Sequence, residues 1–526
     1  MPLTPRAVMA AVAVFVLAGC AARTTAPLDP SALVRARELV RQGCYDCLLE
    51  ARDTYERIAA GGRLAVVTTR LFEVNLLLAL RDKELALDPS EALARARALV
   101  PSQPPDVFAA RYVRLVEAIP PDQIGMSRRS SLEYLAGLSG AEFRPDALGW
   151  LQQSALDPVV REYVALSLEC SRPGSTEASS RPAIGADDTR TTLLAYRRSI
   201  CTPAPRDKAL EQIRADVPAF AEAALFQARG AFATVAGTDG SALRALLDEA
   251  AARFPRSPVV TYHRGALMQT LGDLRQAAVY YGDTLGLVPD HEDARLARAM
   301  CRTYLNEPDA AIADATVLIE AKAHNRGEAY YWRAFNLHRA SKERRQGVPA
   351  DNALEEARAD IDRAKPLAFN SRVLTLAGII EIDQKEIGIA TADLTAATQM
   401  DVRNCAAHWY LGVARHTAED WTDTGTAFAG AAGCYDASAG DSERQREIMA
   451  ARTDLDPGFR ARQLTGFDAA IREDRTQESA AALNAAIGYA RARDLEAAER
   501  YIEQAKKDPA RRIMAEDLRQ VMRGPQ

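Results

Sequence analysis

Residues 257–289 read SPVVTYHRGALMQTLGDLRQAAVYYGDTLGLVP, two amphipathic stretches joined at Gly272-Asp273 and closed by Pro289. Apolar and small residues recur in both at the spacing of one helix face, so the segment reads as a helical hairpin. Its neighbours copy it. An arginine followed by a small residue stands at Arg229-Gly230, Arg264-Gly265, Arg298-Ala299 and Arg333-Ala334, in steps of 35, 34 and 35 residues. Two further small pivots, Gly378 and Gly412, lie 34 apart. A period of this size, with one helix pair per unit, specifies an array in which each unit buries its apolar face against the next.

The whole chain, at 526 residues, exceeds what one compact core covers, which suits a solenoid. Lys and Arg total 66 against 71 Asp and Glu, a formal net charge of −5. No basic field exists to hold nucleic acid, which is excluded as the main partner. Hydrophobic residues make up 48% and aromatics only 6%, a balance suited to closely packed helices.

The helix-pair period resembles the tetratricopeptide repeat. The resemblance implies an all-α fold, a right-handed superhelical solenoid of antiparallel helix pairs, with a more irregular helical N-terminal half. It also implies that the first helix of each unit lines a concave face. Carried onto this chain, that lining is Tyr262 and Gln269, then Met300, Thr303 and Tyr304, then Tyr331, Phe335, His338 and Arg339. The last two units supply Arg372, Ile379 and Asp383, then Trp409 and His416. Tyr, Trp, Met and Arg dominate binding hot spots, so such a groove implies a peptide or extended protein segment as its partner. The competing reading is that single aromatics among them fill core between repeats.

The N-terminus carries one charge, Arg6, ahead of an apolar run over residues 7–18, too short for an ordinary membrane-spanning helix and shaped like an export signal. It ends in Leu17-Ala18-Gly19-Cys20, which resembles the lipobox of bacterial lipoproteins. The resemblance implies a signal peptide over 1–19 and acylation of Cys20, whose several chains make a stable anchor. Ala21 stands where inner-membrane lipoproteins carry Asp, which points to the outer membrane of a Gram-negative bacterium, facing the periplasm. Residues 20–30 read as a flexible tether. No later stretch reaches membrane-spanning length without charges, leaving the lipid as the membrane contact.

Residues 31–215 read as helical repeats that have drifted from the pattern. Within them, 64–80 is apolar nearly all round and expected to be buried, and 171–188 is a polar segment expected to be disordered. Residues 216–435 read as the regular array. The step from Ala334 to Gly378 is ten residues longer than the period, and the excess falls on a charged insertion at 342–351. Residues 436–478 read as an irregular connection with one helix near 442–452, and 479–526 as a last unit with a capping helix.

Setting Cys20 aside leaves Cys44, Cys47, Cys170, Cys201, Cys301, Cys405 and Cys434, an odd number. Cys405 and Cys434 fall at the start of one helix and the end of its antiparallel partner, where the two ends meet, so they pair. Cys170 and Cys201 would close the polar segment, and Cys301, inside an apolar helix pattern, is the buried leftover. Cys44-Tyr45-Asp46-Cys47 has redox-site spacing but no strand beside it, so it reads as a structural disulfide or two packed thiols. Catalytic motifs are missing: there is no G-x-S-x-G, no H-E-x-x-H and no phosphate loop, and the six histidines are scattered.

The expectation is a non-enzyme without cofactor or metal: a lipid-anchored periplasmic scaffold or adaptor binding peptide segments of envelope or assembly-machinery proteins. The alternative is an accessory subunit or regulator of a cell-wall or polysaccharide enzyme, with glycan binding behind it.

Overall fold

A computed structural model describes residues 30–62, 65–100, 107–119, 156–170, 191–201, 207–232, 238–342 and 350–524. Among these are twenty-three helices and no strand. The described residues up to Gln227 form one compact unit, and those from Ala228 onward form a second. Residues 1–29, with Cys20 and all of the tether but Pro30, and the polar segment at 171–188 lie outside the described residues, as do 343–349 of the insertion.

The first unit contains helices Pro30–Gln42 (α1), Tyr45–Gly61 (α2), Ala65–Glu84 (α3), Ser90–Ala98 (α4), Val107–Ala118 (α5), Pro158–Cys170 (α6), Thr192–Cys201 (α7) and Asp207–Asp216 (α8), and α9 (Ala221–Ala231) begins in it. Helix α3 is its axis. Of the apolar stretch 64–80, expected to be buried, residues 71–80 are buried while Ala65 and Val66 are exposed, and burial continues through the charged 81–84. The buried end is nevertheless charged. Arg81, with no exposed surface, lies 4.1 Å over the Tyr196 ring, donates to Glu84 at 3.0 Å and pairs with Glu222. Glu84 also accepts from Tyr163 at 2.5 Å and from Arg197 at 2.7 Å. Burial raises the Glu222 carboxyl above the ordinary range, with Arg81 pulling the other way. Glu222 further accepts the Tyr45 backbone N–H at 2.7 Å, an anion at the positive end of α2.

Cys44 caps the same helix, its Sγ accepting the Cys47 N–H at 3.0 Å. The two sulfurs are bonded and sit against Tyr196, Phe220 and Phe226. This is the structural disulfide of the two sequence alternatives.

The second unit is a stack of helix pairs: α10 (Ser241–Arg253), α11 (Pro258–Thr270), α12 (Leu274–Leu287), α13 (Glu292–Tyr304), α14 (Pro308–Glu320), α15 (Arg326–Lys342), α16 (Ala350–Ala364), α17 (Ser371–Asp383), α18 (Ile387–Met400), α19 (Cys405–Thr417), α20 (Trp421–Ala451), α21 (Pro457–Arg491), α22 (Leu495–Ala505) and α23 (Pro509–Arg523). Turns within pairs share one grammar. A residue of positive φ ends the first helix: Gly272, Asn306, Lys385, Glu419 and Arg493. An acid follows, and Asp273 and Asp494 cap the second helix by accepting a backbone N–H at 3.0 Å.

Within a pair, a small residue of the first helix meets a large one sixteen positions later. A Cβ on Gly265 would lie 2.8 Å from Tyr281, one on Gly378 2.4 Å from Leu394, and one on Gly412 2.7 Å from Phe428. At the Ala299 and Ala334 pivots the preceding arginine braces the packing of the array. Arg298 grips Asp314 through two bonds of 2.9 and 2.6 Å, and Arg333 grips Asp360 at 2.6 and 2.8 Å. Arg264 instead lies 4.8 Å over Tyr280 and pairs with Asp248 of α10. The repeated arginine is thus a strut between helices.

Two of the expected sulfur states are present: Cys405 and Cys434 are bonded, and Cys301 is a free, buried thiol. The side chains of Cys170 and Cys201 lie outside the described residues.

The region expected to be an irregular connection at 436–478 is different. Helix α20 runs on without a break to Ala451, and α21 starts at Pro457, so the chain forms a long antiparallel hairpin there. Each limb covers the other, which lets helix continue through a sequence too polar to signal burial.

Two stability results follow from this packing. Gly412→Ala forces its methyl into Phe428 and is expected to cost about 1–3 kcal/mol, whereas Gly433→Ala, with nothing within 4 Å of the new Cβ, is expected to gain up to about 1 kcal/mol. Urea midpoints of the two variants should therefore move in opposite directions. In the first unit, Arg81→Met leaves Glu84 and Glu222 buried beside one fewer cation and is expected to cost about 3–5 kcal/mol. Adding Glu222→Gln should recover part of that loss in the same denaturation experiment.

Candidate partner-binding face

Three successive first helices, α13, α15 and α17, bring their aromatic and arginine side chains to one cluster. Its hub is Trp332, which is buried. Around it, edge-on, stand Tyr304 at 5.8 Å, Tyr331 at 5.1 Å and Phe335 at 6.1 Å between ring centres. Arg372 of α17 lies 5.1 Å over Tyr331 and 5.8 Å over Trp332. Met300 packs beneath the group. Tyr304 keeps 64% of its surface exposed, and Arg372 is exposed while pairing with Glu328 at 2.9 Å. The face therefore has a buried aromatic floor and a wet, reachable edge.

Polar bonds hold the floor in place. Asn336 donates to Thr303 and to the Trp332 carbonyl, both at 2.8 Å, locking α15 onto α13. One turn beyond Phe335, Asp383 of α17 is shared by His338 at 2.7 Å and Lys342 at 2.6 Å, while Arg339 donates to Asn306. Burial also raises the Tyr331 phenol, which stays protonated.

The expected lining thus falls into three groups. Tyr304, Tyr331, Phe335 and Met300 come together at the cluster, while His338 and Arg339, a turn further along α15, are bonded to Asp383 and Asn306. Tyr262 and Gln269 are engaged by other side chains at the start of the regular array in the second unit: Tyr262 stacks on His291 at 5.1 Å, and Gln269 accepts the Tyr281 hydroxyl at 2.7 Å. Burial pushes the Tyr262 phenol up to about 12. Trp409 meets Phe428 edge-on at 5.4 Å, and the exposed His416 meets Trp421 at 5.3 Å with Arg491 lying over that indole. Trp332 was not among the expected lining. The run Tyr330-Tyr331-Trp332, three aromatics on one helix in a chain with few, is the signal that marks it.

Among the described residues no group of three His, Cys, Asp or Glu side chains is placed to hold a metal, and no helix is long and apolar enough to cross a membrane.

No protein-family model matches the chain, and no curated protein matches it. Among solved structures it is similar to yeast Tom70, at 14% identity over 85% of this chain and 96% of that one, with a TM-score of 0.31. It is similar to IFIT1 bound to m7Gppp-AAAA, at 13% identity over 83% and 90%, with a TM-score of 0.39. It is also similar to a tetratricopeptide repeat protein of Parabacteroides merdae, at 15% identity over 41% and 92%, with a TM-score of 0.27.

The neighbourhood of Tyr262 gives this unit a pH dependence. His263 is buried with Nδ1 2.7 Å from the Val259 carbonyl, so the neutral ring donates there. Burial, helped by the charge of Arg229, pushes its pKa down from 6.5 to about 3. Its contribution is intact above the unfolded value of 6.5 and is lost as pH falls towards 3. At pH 5 the loss is about 2 kcal/mol. His263→Asn keeps a donor for Val259 but cannot titrate, and its urea midpoint should vary less between pH 7 and pH 5 than that of the parent chain.

Proposed function

We propose that this chain is a lipid-anchored periplasmic scaffold that grips an extended segment of an envelope or assembly-machinery protein across α13, α15 and α17. The observation that carries the reading is the Trp332 cluster, where three repeats place Tyr304 and Arg372 at the open edge of a dry aromatic floor. Interface energy concentrates in aromatic and arginine anchors that are surrounded by polar groups, and His338, Asp383 and Lys342 form such a surround. The repeat geometry favours a long ligand, because successive first helices offer similar positions at regular steps. The address rests on Leu17-Ala18-Gly19-Cys20 and on Ala21 after it.

In this reading Tyr304→Ala with Arg372→Ala removes two exposed anchors without opening the core. The double variant should fold normally and lose at least about tenfold of the protein that co-purifies after crosslinking in intact cells, since tenfold corresponds to 1.4 kcal/mol. Undiminished capture contradicts the assignment of the face. Cys20→Ala should move the chain from the membrane fraction to the soluble periplasm, and retention in the membrane contradicts the anchor.

A further inference from the structure

The long hairpin of α20 and α21 is built in two parts of different strength. Its root belongs to the last repeats: the Cys405–Cys434 disulfide ties α20 to the start of α19, and the Gly488 backbone lies directly against Gly425. Beyond the root the limbs are weakly held. Between residues 435 and 477 only Ala439, Met449, Leu455 and Phe459 are buried. The rest of the adhesion is the partly buried Leu464 and Phe467, packed on the cluster of Met449, Leu455 and Phe459, and surface ion pairing of Arg446 with Asp468 and of Arg475 with Asp436 and Glu443. Pairs of that kind contribute little in water. Gly433 and Gly466 lie inside these helices with open space around their Cα atoms, so they weaken the limbs without serving a close contact.

The tip has a partner far away in the chain. Met449, Leu455 and Phe459 pack with Leu271, which ends α11 in the first regular repeat. Beside it lies the loop before α10, whose Asp239 carboxyl is held below the ordinary range chiefly by the Ser241 N–H and to a lesser extent by the Asp456 backbone. Leu271 itself rests on Gly240 of that loop. Starting from α11, each helix packs on the next as far as α20, and the tip of the hairpin then returns to α11. Among the described residues of the second unit, the hairpin tip therefore meets α11 through a small apolar contact.

We propose that the hairpin is a latch, whose tip on Leu271 fastens the end of the repeat array to its beginning and whose thin limbs allow it to open. Closed, it prevents the array from lengthening and so holds α13, α15 and α17 at fixed spacing. Open, it leaves the stack free to stretch as linear repeat arrays do. Regions with few buried apolar contacts are those that open first from the native state. The latch does not depend on what the aromatic face binds.

Hydrogen exchange on the full chain tests it from both sides. Leu271→Asp should speed exchange of amides 449–464 at least tenfold while leaving 481–505, in the core of the last repeat, unchanged. Met449→Ser with Phe459→Ser should reciprocally speed exchange around 267–274, again with 481–505 unchanged. If either variant unfolds its own element, the other decides, because it perturbs the opposite side of the contact. Should each variant affect only its own side, or neither affect any amide, the tip is not fastened to Leu271 and the latch is overturned.

Discussion

The contact between a small residue of one helix and a large side chain sixteen positions later sets the geometry of the second unit. Gly265 against Tyr281, Gly378 against Leu394 and Gly412 against Phe428 let paired helices approach until the ring or branched chain fills the groove. Because the pivot recurs with the period, each pair presents the same outline to the next. At the Ala299 and Ala334 pivots the preceding arginine adds a bidentate bond across the pair, to Asp314 and Asp360. Everything that the array displays, the Trp332 cluster included, takes its position from that spacing.

The first unit solves the same packing problem with charge. Its central helix has no free face, and the two glutamates that meet Arg81 are buried with it. Such a centre tolerates few substitutions, since each partner lost leaves an uncompensated charge in an apolar surround. It also fixes direction: Glu222 reaches across to the start of α2, where Cys44 and Cys47 close the first turn.

Much of this was legible from sequence because periodicity reports burial. The pivots, the burial of 71–80 within the apolar stretch 64–80, the Cys405–Cys434 bond and the buried thiol of Cys301 all follow from residue type and its position in a helix. The hairpin was not legible. Residues 436–478 are polar and read as an irregular connection, and only the second limb, a long way on in sequence, makes the helix continuous. At the candidate face, family register identified which helices contribute but not which side chains remain reachable. Tyr262 looks like Tyr304 in sequence, yet His291 covers the first, and the second stands at the end of its helix in solvent. The repeated arginines, conspicuous in sequence, turn out to serve packing.

The central claim is that the edge formed by α13, α15 and α17 is where the partner lies. Its most direct measurement is site-specific photocrosslinking in intact cells, with the photoreactive residue placed in turn at Tyr304, Arg372, Val279 and Ile389. The last two are about half exposed on second helices, at 50% and 48%, and so equally reachable. The account predicts one common crosslinked species from Tyr304 and Arg372 and none of it from Val279 or Ile389. Capture of that species through Val279 or Ile389, with Tyr304 and Arg372 silent, would contradict it.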